Sequence, residues 1–258
     1  MGLIISMAGK KEKHRPERPF LTPRCKYVLN FLADQTILRV DQWQRLMGRW
    51  PGKQTKEVGR VTAATAMRRI RLWEQKGMLI YERPFTDEPG YAFLTSHGLN
   101  HCLEDYAYKR PPRGQYTHFR LVTEVRMDLE NKHGQNIQIR SERLLRKIYH
   151  VPRGALAKKE AEPKNPGQEL HIPDLEVIKQ EGTAAVEVEL SLKGKQRLQD
   201  ILTELSERYD TTYYYVTPKT EAFVKEQIAQ LPEAAQERFE VRDLLQPVPD
   251  LQHNPFVW

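Results

Sequence analysis

One segment in the second half of the chain carries the residues whose types and spacing best suit chemistry. Asp174 lies in one predicted strand, and Glu187 and Glu189 lie in the next. Lys193 follows them, just before a predicted helix. Alternate side chains of a strand share a face, so both glutamates point the same way. Neighbouring carboxylates raise one another's pKa unless a cation lies between them, so the pattern predicts a site for a hard divalent metal and a phosphodiester.

A structural interpretation of the same residues stays open. A single Pro-Asp pair such as Pro173-Asp174 is common in proteins. Two glutamates at alternate positions of an edge strand usually form a solvated face. The order of these acidic residues along the chain therefore predicts the fold of this region more firmly than it predicts catalysis.

Positive charge is concentrated in the first half of the chain. Residues 1–116 hold 21 Lys and Arg against 11 Asp and Glu, a net charge of +10. Residues 117–258 hold 20 against 23, a net charge of −3. Such asymmetry favours a polyanion, namely nucleic acid, as the partner of the first half. The alternative is solubility charge that is unevenly spread.

The composition, with 39% hydrophobic and 29% charged residues, is typical of a globular protein with a core. No apolar run approaches the length of a membrane span, and the opening residues lack the charged flank of a secretory signal. Cys25 and Cys102 fall in predicted helices and are expected to be reduced, since no zinc-type spacing occurs. We expect a cytoplasmic protein without a membrane partner.

The first half is predicted to start with a flexible basic arm, residues 1–18, and to continue as helices followed by a hairpin. The arm's cations are Lys10, Lys11, Lys13 and Arg15. The predicted elements are a helix opened by Thr22-Pro23, a helix over 41–47, a third helix from Thr62 to Gly77, strands over 78–85 and 91–95, and a helix over 99–108.

The third helix has two distinct faces. Ala66, Ile70 and Trp73 recur at helical spacing and form its predicted buried face. The opposite surface carries Thr65, Arg68, Arg69 and either Gln75 or Lys76, with Arg71 there or at its flank. Long side-chain donors of this kind reach phosphates and guanine edges in a DNA major groove.

Residues 19–108 resemble a winged helix-turn-helix domain, in which the third helix reads the groove. The ending GMLIYERP…GYAFLTSHG is similar to the wing of many bacterial DNA-binding domains of this type. Use of the domain for protein contact or dimerisation is the alternative. The segment KRPPRGQ, residues 109–115, is the predicted linker.

The second half alternates helices and strands. The predicted elements are a helix over 118–132, a strand over 136–141, a long loop over 150–169, a hairpin of strands 172–178 and 184–190, a helix over 195–209, a strand over 211–217, helices over 220–230 and 233–237, and a strand over 239–244. With the first half, this order predicts an α+β or α/β protein.

Residues 116–247 resemble the αβββαβ core of the PD-(D/E)XK nuclease-like (restriction-endonuclease-like) superfamily, followed by a tail over 248–258. The resemblance rests on Pro173-Asp174, on Glu187-Val188-Glu189 and on the helix after them. Together the two halves resemble the replication-relaxation family of plasmids and integrative elements, whose members pair a winged helix with a nuclease-like domain.

The resemblance assigns roles by position. Asp174 and Glu187 would bind the metal, Mg²⁺ or Mn²⁺, and Glu189 stands where the family pattern usually has lysine. Lys193 would supply the missing cation. The remaining candidates are Glu124 as an additional acid, and His171 and Arg197 beside the phosphate, although an ideal strand places His171 on the opposite side from Asp174.

We therefore expect a double-stranded DNA-binding protein of a mobile element, active in plasmid replication, the relaxosome or conjugative transfer. Its rear domain is expected to serve as a docking or dimerisation module for a relaxase, helicase or replication initiator. The alternatives are a metal-dependent DNA endonuclease using Asp174, Glu187, Glu189 and Lys193, and a transcriptional regulator.

Overall fold

The computed structural model describes residues 21–49, 59–150 and 170–244. This part of the chain is a mixed α+β structure with two β-sheets. Within it, no helix has the length and apolar character needed to cross a membrane. The predicted arm with Lys10, Lys11, Lys13 and Arg15, the loop residues 151–169 and the tail 248–258 lie outside the described residues.

The first seven elements form what we call the front unit. They are α1 (Pro23–Gln35), β1 (Leu38–Arg39), α2 (Val40–Gly48), α3 (Ala63–Gln75), β2 (Leu79–Glu82), β3 (Tyr91–Leu94) and α4 (Ser96–Leu99). The strands form an antiparallel sheet in the order β1-β3-β2. Trp43 of α2 and Trp73 of α3 pack edge to face, 5.3 Å between ring centroids, and are fully buried in the core.

Local chemistry fixes the ends of α3. The hydroxyl of Thr62 accepts a hydrogen bond from the backbone N–H of Thr65 at 3.2 Å, which confirms the predicted N-cap. At the other end, Gly77 has a φ of 67°, a left-handed conformation that favours glycine. The chain can therefore leave α3 and enter β2 at once.

Replacing Gly77 with alanine is expected to lower the free energy of unfolding by about 1 kcal/mol. A Cβ at this position meets no atom within 4 Å, so the cost arises from the backbone conformation alone. The check is chemical denaturation beside Gly114→Ala, a position that is equally open but has no positive φ. An equal loss of stability in both variants would contradict the assignment of the cost to the left-handed conformation of Gly77.

The helix predicted over 99–108 is wrong. Helix α4 ends at Leu99, and Cys102 lies in a bend rather than in a helix. Long-range bonds hold this segment instead, because the backbone N–H of Leu103 donates to Asn30 at 2.8 Å and the Tyr106 hydroxyl donates to Asp34 at 2.8 Å. Both cysteines are free thiols, as expected.

The remaining elements form the rear unit. They are α5 (Tyr116–His133), β4 (Gln138–Ser141), α6 (Glu142–His150), β5 (Leu175–Lys179), β6 (Gly182–Glu189), α7 (Lys195–Arg208), β7 (Thr211–Val216), α8 (Pro218–Ile228), α9 (Glu233–Gln236) and β8 (Phe239–Asp243). The sheet order is β4-β5-β6-β7-β8, with antiparallel pairing up to β6 and parallel pairing beyond it.

Both faces of the rear sheet are covered. Val186 and Val188 of β6 pack with apolar residues of α5, and Ala185 packs with residues of α7 and α8 on the other face. The predicted alternation of β6 is therefore confirmed. Because β6 is a central strand covered on both sides, Glu187 and Glu189 are each only 4% exposed, and the solvated edge-strand interpretation is wrong.

Two rear elements differ from the prediction. Strand β5 begins at Leu175, so the predicted residues 172–174 lie outside it. Helix α6 was not predicted, although Leu145 is fully buried on it and its apolar residues have helical spacing.

Polar contacts join the two units. The carboxylate of Asp34 on α1 accepts hydrogen bonds from Arg126 of α5 and from the Ser141 hydroxyl, the latter at 2.6 Å. Glu124 of α5 forms an ion pair with Arg45 of α2 at 2.5 Å. Ion pairs thus join helix α5 to both α1 and α2. Helix α2 in turn packs against α3.

Candidate functional site

The outward face of α3 is the first candidate site. Ala66, Ile70 and Trp73 are 0% exposed and define the buried side of the helix. Thr65, Arg68, Arg71 and Lys76 are exposed, and Arg69 is half-buried. The structure therefore brings all the predicted α3 donors to the solvent side or the flank of one helix.

The three α3 arginines are unpaired in the part of the chain that the structure describes. Within residues 21–49, 59–150 and 170–244, neither a hydrogen bond nor an ion pair is formed by the side chains of Arg68, Arg69 or Arg71. Three guanidinium groups that have no partner among the described residues form a strongly cationic surface that fits phosphate and base-edge acceptors.

The second candidate site is a cluster of carboxylates and imidazoles where β5 begins and the antiparallel β6 ends. His118 Nε2 lies 2.9 Å from Asp174 Oδ1, and the backbone N–H of Val188 donates to Asp174 Oδ2 at 2.8 Å. His171 Nε2 lies 2.8 Å from Glu187 Oε1. Asp174 and Glu187 are therefore brought together as predicted, but each is bonded to a histidine.

Lys193 lies beside the same cluster, in the segment between β6 and α7. Its ammonium donates to Glu189 Oε2 at 2.5 Å. Burial disfavours the charged ammonium, but the charges of Glu187 and Glu189 outweigh burial and raise the pKa of Lys193. The cation predicted at this place, Lys193, thus lies beside the cluster and is paired with Glu189.

Burial dominates the electrostatics of Glu187. It raises the pKa of the Glu187 carboxyl, and the hydrogen bond and charge of His171 oppose that shift without cancelling it. Burial lowers the pKa of His118 and His171, but their carboxylate partners outweigh it and raise both. Each histidine is therefore more basic than usual because a carboxylate accepts its hydrogen bond.

These contacts do not fit a Mg²⁺ site as they stand. Both oxygens of Asp174, one oxygen of Glu187 and one of Glu189 already accept hydrogen bonds from nitrogen donors. Octahedral Mg²⁺ needs carboxylate oxygens that face a common open position. In the described part of the chain, no group of three or more His, Cys, Asp or Glu side chains is placed to hold a metal ion.

The additional acid predicted at Glu124 is wrong for this site. Glu124 is bonded to Arg45 and Gln42 of α2, because α5 packs against the front unit at this level. His118, nearly two turns earlier on α5, contacts Asp174 instead. The sequence contains no signal that links His118 to a residue 56 positions later.

The structure also places His171 and Arg197, the two residues predicted to lie beside the phosphate. His171 was expected on the opposite side from Asp174, but residues 170–173 are not in regular strand and His171 reaches Glu187. Arg197, on the first turn of α7, is exposed and has no hydrogen bond or ion pair with the described cluster residues. Glu204 and Arg208 of α7 hold the backbone of His171 in place.

Comparison with known proteins does not assign the chain to a family. No family model matches the chain, and neither the curated proteins nor the solved structures give a match.

Proposed function

We propose that this chain is a double-stranded DNA-binding protein whose front unit is a winged helix-turn-helix with α3 as the recognition helix. The observation that carries the proposal is the set of α3 guanidinium groups, Arg68, Arg69 and Arg71, that have no internal partner among the described residues. Guanidinium groups aligned on one helix suit phosphates and guanine edges of a major groove.

The element order of the front unit supports this proposal. Two helices precede α3, a hairpin follows it, and β3 lies between β1 and β2 in the sheet. Trp43 packs α2 against α3, so the second helix supports the third as in helix-turn-helix docking. The β2–β3 hairpin, with Arg83 exposed, corresponds to the wing.

The rear unit is proposed to be a PD-(D/E)XK nuclease-like domain that acts in docking or dimerisation. Support comes from the strand order with its change from antiparallel to parallel at β6. The nitrogen donors on Asp174, Glu187 and Glu189 favour a structural over a catalytic role. A relaxase, helicase or replication initiator of a mobile element is the proposed class of partner.

The experiment that tests DNA binding is an equilibrium titration of a fluorescent duplex with the full chain. The affinity is compared with that of a variant in which Arg68, Arg69 and Arg71 are replaced with glutamine. Saturable binding by the wild-type chain and its loss in the variant support the proposal, and an equal affinity of both proteins for the duplex overturns it.

A metal-dependent DNA endonuclease is the second candidate. The convergence of Asp174, Glu187, Glu189 and Lys193 at the end of β6 favours it. It requires His118 and His171 to release their carboxylates, because those oxygens are bonded in the described geometry.

Incubation with supercoiled plasmid separates the two candidates. We expect no nicking above the EDTA control with Mg²⁺ or Mn²⁺, and we expect Glu187→Ala to bind duplex DNA within about twofold of wild type, since it lies on the rear unit. Nicking that both EDTA and Glu187→Ala abolish establishes the endonuclease. A Glu226→Ala variant, exposed on α8, controls for unspecific loss of a negative charge.

A further inference from the structure

Two histidines lie side by side on the surface of the front unit, directly after β3. His97 belongs to α4, and His101 follows it one helical turn later along the chain. The backbone N–H of Asn100 donates to Ser96 at 3.3 Å and that of His101 donates to Gly98 at 3.2 Å, so the turn continues as far as His101. Both histidines are exposed, and the centroids of their imidazole rings are 5.1 Å apart.

The imidazoles of this pair are free to bind an external ligand. Among residues 21–49, 59–150 and 170–244, neither His97 nor His101 has a hydrogen-bond or ion-pair partner for its side chain. His118 and His171 differ, because each is bonded to a carboxylate. A neutral imidazole has one nitrogen with a free lone pair, and two histidines one helical turn apart can direct such nitrogens at one metal ion.

The separation of the two rings fits a shared transition-metal ion. With metal–nitrogen distances of about 2.1 Å and tetrahedral angles, two imidazoles on one ion have ring centroids about 5 Å apart. The separation in this structure is 5.1 Å. Imidazole nitrogen suits Zn²⁺, Ni²⁺ and Cu²⁺, whereas Mg²⁺ and Ca²⁺ prefer oxygen ligands. The pair therefore matches an ion of the first class.

The turn that carries the pair is held rigidly by the front unit. The hydroxyl of Thr95 accepts the backbone N–H of Gly98 at 3.1 Å and donates to the carbonyl of Gly77 at 2.6 Å. The turn also packs closely on the start of β2, since a Cβ on Gly98 would lie 1.9 Å from the carbonyl oxygen of Met78. Ligands that are fixed before the ion arrives lose little conformational entropy when it binds.

We propose that His97 and His101 form a binding site for a divalent transition-metal ion that prefers imidazole nitrogen. The chain supplies two ligands, and water completes the coordination of the ion. The site belongs to the front unit, is separate from the cluster around Asp174 and Glu187, and does not depend on DNA binding.

Isothermal titration calorimetry of the full chain with NiCl₂ at about pH 7.5 tests the site, since the ion requires unprotonated imidazoles. We expect His97→Gln and His101→Gln each to weaken Ni²⁺ binding at this site by at least about tenfold. Loss of a hydrogen-bond partner of a metal ligand already costs about 10- to 100-fold in affinity, and here the ligand itself is lost. His133→Gln, at an exposed position at the end of α5, is the matched control and should bind as wild type does.

NMR spectra of the imidazole groups identify the ligands independently. Addition of ZnCl₂ should shift the signals of His97 and His101 together, and each signal is assigned by its absence from the corresponding variant. Circular dichroism confirms that each variant is folded.

Four results would overturn the site. The first is a wild-type chain that binds no Ni²⁺ at millimolar concentration. The second is unchanged Ni²⁺ affinity and stoichiometry in folded His97→Gln and His101→Gln, and the third is a loss in one of them alone. The fourth is an equal loss in His133→Gln, which would indicate unspecific binding to surface histidines.

Discussion

Replacing Asp34 with alanine is expected to lower the free energy of unfolding by about 3–5 kcal/mol. The substitution removes a charged acceptor of three hydrogen bonds, each contributing about 1.5–3 kcal/mol, although Arg126 keeps its ion pair with Glu130. Asp34 and Arg126 form an ion pair in which the side chains are 15% and 12% exposed. The same carboxylate accepts the hydroxyls of Tyr106 and Ser141 at 2.8 Å and 2.6 Å. One substitution thus removes the acceptor for three donors that join α1 to the segment after α4 and to the rear unit.

Urea denaturation followed by circular dichroism measures this effect. The matched control is Asp105→Ala, which removes the same group from an exposed position without a hydrogen bond or ion pair among the described residues. We expect the control to differ from wild type by less than about 0.5 kcal/mol. A loss below 1 kcal/mol for Asp34→Ala contradicts the described packing of α1 on α5.

The second large effect is expected on DNA affinity. Replacing Arg68, Arg69 and Arg71 together with glutamine should weaken duplex binding by about a thousandfold near physiological salt, since each lost contact costs about 1–3 kcal/mol. Glutamine has a helix propensity close to that of arginine, so α3 should remain folded. Fluorescence anisotropy with a labelled duplex measures the affinity.

Loss of three positive charges elsewhere is the control for this triple variant. Arg146 of α6 and Lys219 and Lys225 of α8 are exposed and lie on other helices, and their combined replacement with glutamine should weaken binding by less than about tenfold. Equal losses for the two triple variants indicate unspecific attraction of charge and contradict a recognition helix.

Much of the fold followed from local patterns. Apolar spacing, the Thr62 cap and the Gly77 end predicted α3, and alternation in β6 predicted which side chains of that strand share a face. Both are local properties that a short window of sequence contains. The predicted helix over 99–108 failed because contacts of Leu103 and Tyr106 with α1 override local propensity.

The site was less predictable than the fold. The proximity of Asp174 and Glu187 was expected from the hairpin of β5 and β6, since neighbouring strands bring their ends together. The histidine partners were not, because His118 belongs to a helix that reaches Asp174 only through tertiary packing. The ion pair of Glu124 with Arg45 depends on the contact between the two units, which no local pattern contains.

The salt dependence of duplex binding by the wild-type chain tests DNA binding through α3 most directly. With three or more phosphate contacts, affinity should fall about 40-fold or more between 50 and 200 mM salt. The triple arginine variant should show a shallower slope. An affinity that is unchanged over this range, or an identical slope for the variant, would contradict the account.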